Sequence, residues 1–204
     1  MTLVALFPLP DVVLFPGVPL PLHVFEPRYR ALVRDALASE RTIGMALLKP
    51  GFEAEYAGRP AIYPLGCSGT IVEDERLEDG RYNIVLQGTQ RFRVVEEQPG
   101  GAYRVARVEP LPEAAADVSS VDRLRDEVLE ALGRLADGST VVVEGEVPAA
   151  TLVNALCQSL ELPAVEKLAL LACDSPEDRA KRLVDLLEFH RLEKGTGLDL
   201  ARPS

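Results

Sequence analysis

Six prolines fall within the first 27 residues: Pro8, Pro10, Pro16, Pro19, Pro21 and Pro27. Each fixes its own φ near −65° and removes a backbone donor. At this density no helix can run through residues 3–27, and only edge or broken strands are tolerated. Phe15-Pro16-Gly17 reads as a tight turn, with proline setting one φ and glycine allowing a positive one. The pattern predicts a short strand before it, Val12–Phe15, and an extended stretch after it, Leu20–Val24. Pro27 suits the first turn of a helix. Tyr29, Leu32, Val33, Ala36 and Leu37 then recur on one helical face that ends near Ser39.

Beyond that helix the apolar period changes. Ile43–Leu48, Cys67–Val72, Tyr82–Leu86, Phe92–Val95 and Tyr103–Val108 read as strands, with turns at Glu78-Asp79-Gly80-Arg81 and Gln98-Pro99-Gly100-Gly101. Short strands at this spacing suggest a small barrel or sandwich. After Pro112 the pattern is helical. One apolar face runs from Val121 to Leu135, with Ser120 as N-cap and Gly138 as stop. A second, Leu152 to Leu160, is closed by Pro163; Val165–Cys173 is a third. Ser175-Pro176-Glu177-Asp178 opens a fourth, which Gly195 ends. The Thr140–Val143 run has no assigned element.

The chain of 204 residues carries 22 basic and 32 acidic groups, a formal charge of −10. Residues 1–110 hold 12 basic and 14 acidic groups and residues 111–204 hold 10 and 18, so the balance shifts near Pro112. The expected division is a β domain over 1–112, a helical bundle over 113–195 and a flexible tail over 196–204. An acidic chain is repelled by phosphate backbones, which argues against general nucleic-acid binding. No stretch of about 18 apolar residues offers a membrane span. Cys67, Cys157 and Cys173 are odd in number and widely spaced, neither a disulfide framework nor a zinc motif. A reducing cytoplasm is the expected compartment.

Two stretches carry a resemblance. Phe7-Pro8-Leu9-Pro10-Asp11-Val12-Val13-Leu14-Phe15-Pro16-Gly17, continued by Pro19-Leu20-Pro21-Leu22-His23-Val24-Phe25-Glu26-Pro27-Arg28-Tyr29-Arg30, resembles the opening signature of the Lon N-terminal (substrate-binding) domain family. Asp79-Gly80-Arg81-Tyr82-Asn83-Ile84-Val85-Leu86-Gln87-Gly88 with Arg91-Phe92-Arg93 resembles its second signature. Order and spacing agree over roughly residues 3–110, and the helical part is similar with weaker motifs. The resemblance implies an α+β fold: a PUA-like small β-barrel with one short helix near the N-terminus, followed by a C-terminal α-helical bundle. It also implies a part in selecting polypeptide substrates. It does not extend to the protease itself. No Gly-Lys dipeptide occurs, so a phosphate-cradling P-loop is absent, and barrel and bundle leave no room for a peptidase. The chain looks like a stand-alone Lon-type N-domain without enzymatic activity.

Several residues invite a chemical reading. His23 and Glu26 form either an acid–base pair or the orienting residues of a strand-to-helix corner. Cys67 is a small buried hydrophobe or, with His23, a nucleophile. His190 reads as a solvated cation at a helix end. Two isolated histidines without metal-type carboxylate spacing supply no metal site, and no cofactor is expected. Arg28, Arg30, Arg91 and Arg93 are the densest basic set. Either they bind an acidic peptide or phosphate group, or Arg28 or Arg30 pairs Glu26 locally and Arg91 or Arg93 alternates outward on a strand. The loop Phe15–Leu22 either fills core or leaves an apolar groove.

The leading reading is a non-catalytic module that recognises exposed or extended polypeptide segments, an adaptor or holdase serving polypeptide clients or partnering a protease or chaperone. Its binding residues would be Phe15, Pro16, His23, Phe25, Glu26, Tyr29, Arg30, Arg91 and Phe92, with main-chain pairing at a sheet edge adding affinity. One alternative is RNA or nucleotide binding through the arginines with Tyr82 or Phe92 as stacking platforms. Another is a hydrolase using Cys67 or His23. Oligomeric state and client identity are not encoded in any of these features.

Overall fold

The computed structural model describes residues 2–56, 58–114, 118–135 and 147–196. Two compact units are present: residues 1–113 with 154–172, and residues 114–153 with 173–204. The fold is α+β, with a mixed six-stranded sheet and five α-helices among the described residues.

The first unit holds β1 (Thr2–Leu9), β2 (Pro19–Val24), α1 (Pro27–Leu37), β3 (Thr42–Leu48), β4 (Ile62–Arg76), β5 (Tyr82–Glu97) and β6 (Arg104–Pro110). The strand order is β2-β5-β4-β3-β1-β6, and β6 pairs with β5 as well. All neighbours are antiparallel except β1 and β3.

The first strand is not Val12–Phe15, as the sequence suggested, but Thr2–Leu9. Its neighbours explain how it tolerates Pro8. β6 covers Thr2 to Leu6 and β3 covers Leu6 to Leu9, so β1 is paired on both sides only at Leu6. Pro8 therefore sits where one side is vacant and its missing donor costs no ladder bond. Residues 12–15 are irregular, with Val13, Leu14 and Phe15 buried. The Phe15 amide donates to the Gln158 side chain at 3.0 Å instead of to a strand.

The expected pair Tyr82–Leu86 and Phe92–Val95 is one long strand. β5 pairs with β2 over Tyr82–Gln87 and with β6 over Phe92–Glu97, while β4 follows it along most of its length. Gly88 makes the passage possible. A Cβ there would overlap the Phe15 carbonyl oxygen. β4 is likewise longer than Cys67–Val72, and its Pro64 falls in the register shift between the Ile62 and Gly66 pairings, where proline is accommodated.

The expected turns are present. Val18 N donates to Phe15 O at 3.2 Å and Gly17 has φ 75°, the geometry of a type II turn. Gly80 (φ 81°) closes the β4–β5 hairpin. α1 starts at Pro27 and buries Tyr29, Leu32, Val33 and Ala36. Within this unit one cluster of Leu6, Phe92, Ala106 and Val108 fills the sheet interior. Leu168 and Leu171 of α4 (Ala164–Leu171) lie with Val13, Leu14, Met45 and Cys67 in another apolar region.

The second unit contains α2 (Val118–Leu135) and α5 (Pro176–Thr196); α3 (Ala149–Ser159) contains the point of division between the units. Ser120 lies inside the first turn of α2 rather than capping it. Gly138, Thr140–Val143 and residues 197–204 lie outside the described residues. α2 buries Val121, Leu124, Val128 and Leu132; α5 buries Ala180, Leu183 and Leu187. Arg134 reaches Glu188 at 2.6 Å between these helices. Ser175 caps α5, accepting from Asp178 N at 3.0 Å and donating to its carboxylate at 2.8 Å.

Gly88→Ala should destabilise the chain by about 3 kcal/mol, because backbone must move to admit the methyl group. Gly51→Ala, at a positive φ with open space around it, should cost only about 1 kcal/mol. Urea unfolding compares the two; equal midpoints would refute the close-approach account.

Candidate functional site

The chain from Phe15 to Arg30 supplies most of the suspected binding residues, and the structure divides them into two groups. Phe15 is fully buried. Its turn is held down by main chain, with Gly17 N donating to Gly88 O at 2.9 Å and Gly88 N donating to Val18 O at 3.0 Å. Two amides of α3 complete the clamp. Asn154 Nδ2 donates to Pro16 O at 2.9 Å, and Gln158 Nε2 donates to Pro19 O at 2.9 Å. The Phe15–Leu22 loop thus begins as core filling, with Pro16 only half-buried, and not as an open apolar groove. Asn154 and Gln158 escaped sequence reading although their i, i+4 spacing on an otherwise apolar helix was visible.

Tyr29 is also buried. Its ring stacks on Phe7 with centroids 4.0 Å apart, and its hydroxyl donates to Pro8 O at 3.2 Å. Burial pushes this phenol up to about 12, with the Arg28 guanidinium opposing the shift. Glu26 faces this corner. It accepts from Arg28 Nε at 2.9 Å and from the Tyr56 hydroxyl at 2.8 Å. The Arg28 guanidinium lies 4.6 Å above the Tyr29 ring centroid and 5.0 Å above that of Tyr56. Burial, followed by the hydrogen bond to Glu26, raises the Tyr56 phenol. This is an anchoring corner.

His23 belongs to a different network, so it does not pair with Glu26 as acid and base. Its Nδ1 lies 2.7 Å from Asn83 Oδ1, and its Nε2 lies 3.1 Å from Arg81 Nη1. Asn83 donates its amide to Glu75 at 2.8 Å, which turns its oxygen toward His23. The tautomer with the proton on Nδ1 satisfies both neighbours. Cys67 is buried and pairs in register with Arg91, whereas His23 pairs with Asn83. Eight residues of β5 separate those positions, on the order of 25 Å of strand. The Cys67–His23 nucleophile is therefore not assembled.

Arg91 and Phe92 are each 2 % exposed. Arg91 donates to Leu171 O at 2.9 Å and to Pro112 O at 3.2 Å, and lies 3.6 Å from Glu113. It ties β5 to neighbouring carbonyls instead of presenting charge to a ligand. Tyr82 and Phe92 are buried, so neither offers a ring face for stacking. His190 lies 3.3 Å from Glu193 on α5, partly buried. Among the described residues no group of three His, Cys, Asp or Glu could hold a metal ion, and no helix is long and apolar enough to cross a membrane.

What remains on the surface is a connected patch. Phe25 is 60 % exposed, and its ring lies 6.2 Å from that of His23. Beside them is a shallow depression of about 460 Å³ lined by Pro21, Leu22, Ile84 and Val85, with His23, Asn83, Glu73 and Glu75 around it. Arg30 lies on the other side, against the Gly80 turn that leads into Arg81. Such a surface can hold an apolar side chain and order polar groups around it. It brings together no nucleophile and base.

The family described as the ATP-dependent protease La (LON) substrate-binding domain matches residues 4–188. Lon protease 2 of Myxococcus xanthus is 29% identical over 194 residues, covering 91% of this chain and 23% of that protein. A Lon protease of Paraburkholderia phytofirmans is 30% identical, covering 93% and 23%. The chain thus spans about a quarter of the length of these curated relatives. The Lon N-terminal domain protein from Xanthomonas campestris has a TM-score of 0.63 at 30% identity, covering 91% of this chain and 98% of that one. The N-terminal domain of Mycobacterium avium complex Lon protease, at 20% identity and TM-score 0.65, covers 93% of this chain and 100% of its own and shares the fold.

The phenol of Tyr29 ionises near 10.0 when unfolded and near 12 when folded, so its contribution to stability is complete below the lower value and is lost between the two. Tyr29→Phe should flatten part of the alkaline loss over that window. At neutral pH it should cost about 1 kcal/mol, the hydrogen bond to Pro8. Chemical denaturation across pH 9 to 12 checks both; an unchanged alkaline slope would show that the phenol is not held back by burial.

Proposed function

The chain belongs to the Lon substrate-binding domain family, and from that premise we propose that it is a non-catalytic module that binds exposed or extended polypeptide segments in the cytoplasm, as an adaptor or holdase working with a protease or chaperone. The observation that carries this is Phe25, an aromatic ring left 60 % exposed beside an apolar depression of about 460 Å³. Exposed aromatics at such patches are the usual anchors of recognition surfaces. Pro21, Leu22, Ile84 and Val85 receive apolar side chains, and His23 with Asn83 supplies polar contacts. Pro16 and Arg30 flank this surface. Phe15, Glu26 and Tyr29 act from behind it, fixing β2 and α1, whereas Arg91 and Phe92 hold the far half of β5. The finer description of the β part as a PUA-like barrel is supported by the pairing of β6 with both β1 and β5, and residues 154–172 belong with this unit rather than with a separate bundle over 113–195.

Main-chain addition at β2 has little part in this binding. Pro19 and Pro21 alternate, so both lack a donor on one edge of the strand. Their six-residue ladder with β5 is compatible only with that edge facing outward. Side-chain contacts therefore supply the affinity.

A labelled, uncharged, unstructured peptide with aromatic and aliphatic residues should bind the wild-type chain in fluorescence anisotropy. Phe25→Ser should weaken it about tenfold, or ~1.4 kcal/mol. Phe15→Ala should instead lower stability by about 3–5 kcal/mol, as a core truncation does. Undiminished affinity in Phe25→Ser would remove the site from this patch. Absence of binding by the wild type would remove the function.

A further inference from the structure

A second recess lies between α1 and the end of the β4–β5 hairpin. It has a volume of about 290 Å³ and is lined by Pro27, Arg30, Ala31, Arg34, Arg76, Gly80 and Tyr82. Three of these carry guanidinium groups and none is acidic. This is unexpected in a chain with 32 acidic and 22 basic residues.

The cations are there at a cost. Arg30 and Arg34 stand four residues apart on α1, a like-charge pair that weakens a helix by a few tenths of a kcal/mol. Counter-charge is sparse. Arg34 pairs with its neighbour Asp35 at 2.8 Å, and Asp35 also accepts from the Tyr103 hydroxyl at 3.0 Å. Asp79 is engaged by Arg81 at 2.6 Å and feels Arg30 only through its charge. Among the described residues the side chains of Arg30 and Arg76 make no hydrogen bond or ion pair. Gly80 keeps the recess open to Arg30, since a Cβ there would collide with its guanidinium.

We infer that this arginine-lined recess binds the carboxylate side chain of a bound polypeptide, making acidic residues beside an apolar anchor the preferred client feature. The inference rests on the polypeptide-binding reading above. Position argues for a tethered carboxylate over a free anion. Arg34 and Arg76 are exposed, and an exposed ion pair alone holds a free ion weakly. The recess reaches the apolar depression through Gly80, Arg81 and His23, the last two only 3.1 Å apart. A client anchored on Phe25 would present its next residues to the recess at high effective concentration. Glu73 and Glu75 line the depression itself, so acidic residues are repelled there and drawn to the arginine recess.

The test uses two labelled, unstructured peptides of the same length. Each carries one aromatic–aliphatic stretch, followed by two Asp/Glu residues in one and by Asn/Gln in its twin. The wild type should bind the acidic peptide about fivefold more tightly at low salt, and the preference should shrink as salt rises. Arg30→Gln with Arg76→Gln should abolish the preference, the acidic peptide then binding the variant no more tightly than its neutral twin. Arg30→Lys with Arg76→Lys should keep part of it, which excludes misfolding as the cause. Equal binding of both peptides by the wild type, or a preference that survives the Gln substitutions, overturns the recess and leaves polypeptide recognition standing. Binding of neither peptide overturns both.

Discussion

The contact on which the exposed surface depends is the approach of the Phe15-Pro16-Gly17 turn to Gly88. Two main-chain hydrogen bonds join these segments, Gly17 N to Gly88 O and Gly88 N to Val18 O. They set where β2 begins, and therefore which residues pair with the first half of β5. That register decides which side chains face out. With His23 opposite Asn83 and Pro21 opposite Val85, the polar network and the apolar depression form on the same strand pair. A shift by one residue would turn His23 inward and Val24, now buried, outward. The bulk of Phe15 in the core makes such a slip costly, because the ring would have to leave a site from which water is fully excluded.

Arginine serves opposite purposes in the two halves of this unit. Arg91 is buried with carbonyl oxygens around it, and Arg104 is held by Glu97 at 2.5 and 2.8 Å and by Pro60 O at 2.7 Å. Guanidinium suits these places because it stays charged, is planar and has five donors to distribute. At the α1 end, by contrast, the side chains of Arg30 and Arg76 make no hydrogen bond or ion pair among the described residues. The difference lies in supply: carbonyls and carboxylates converge on Arg91 and Arg104, and none does on Arg30 or Arg76. Charge left uncompensated on an acidic chain is a better mark of recognition than charge density, because the protein's own structure gives it nothing to hold.

Legibility in the sequence followed the range of the physics involved. Turns set by proline and glycine, the helix opened by Pro27 and the cap at Ser175 depend on a few adjacent residues, and they could be read. β1 could not, because its tolerance of Pro8 depends on where β3 and β6 stop. β5 was read as two strands because Gly88 and its neighbours look like a break until the Phe15 turn is laid against them. The suspected site suffered in the same way. Phe15, Tyr29, Arg91 and Phe92 are conspicuous residue types, but burial is a tertiary property, and all four proved to be support. Phe25, His23 and Arg30 were picked from the same short stretch and do reach the surface. The acid–base reading failed because His23 and Glu26 are each bonded to other groups, and the nucleophile reading because Cys67 and His23 lie far apart along β5.

The prolines that first constrained the chain also shape how it can bind. An edge strand with free donors and acceptors recruits any extended backbone, including another copy of itself. β2 lies at the edge of its sheet but lacks donors at Pro19 and Pro21, and its Pro19 carbonyl is taken by Gln158. Backbone recognition, which is indifferent to sequence, is thereby suppressed, and discrimination falls to side chains. In the polypeptide-binding role proposed above, an aromatic anchor and the charges around it would then read composition, while the prolines keep the strand itself from pairing with extended backbone.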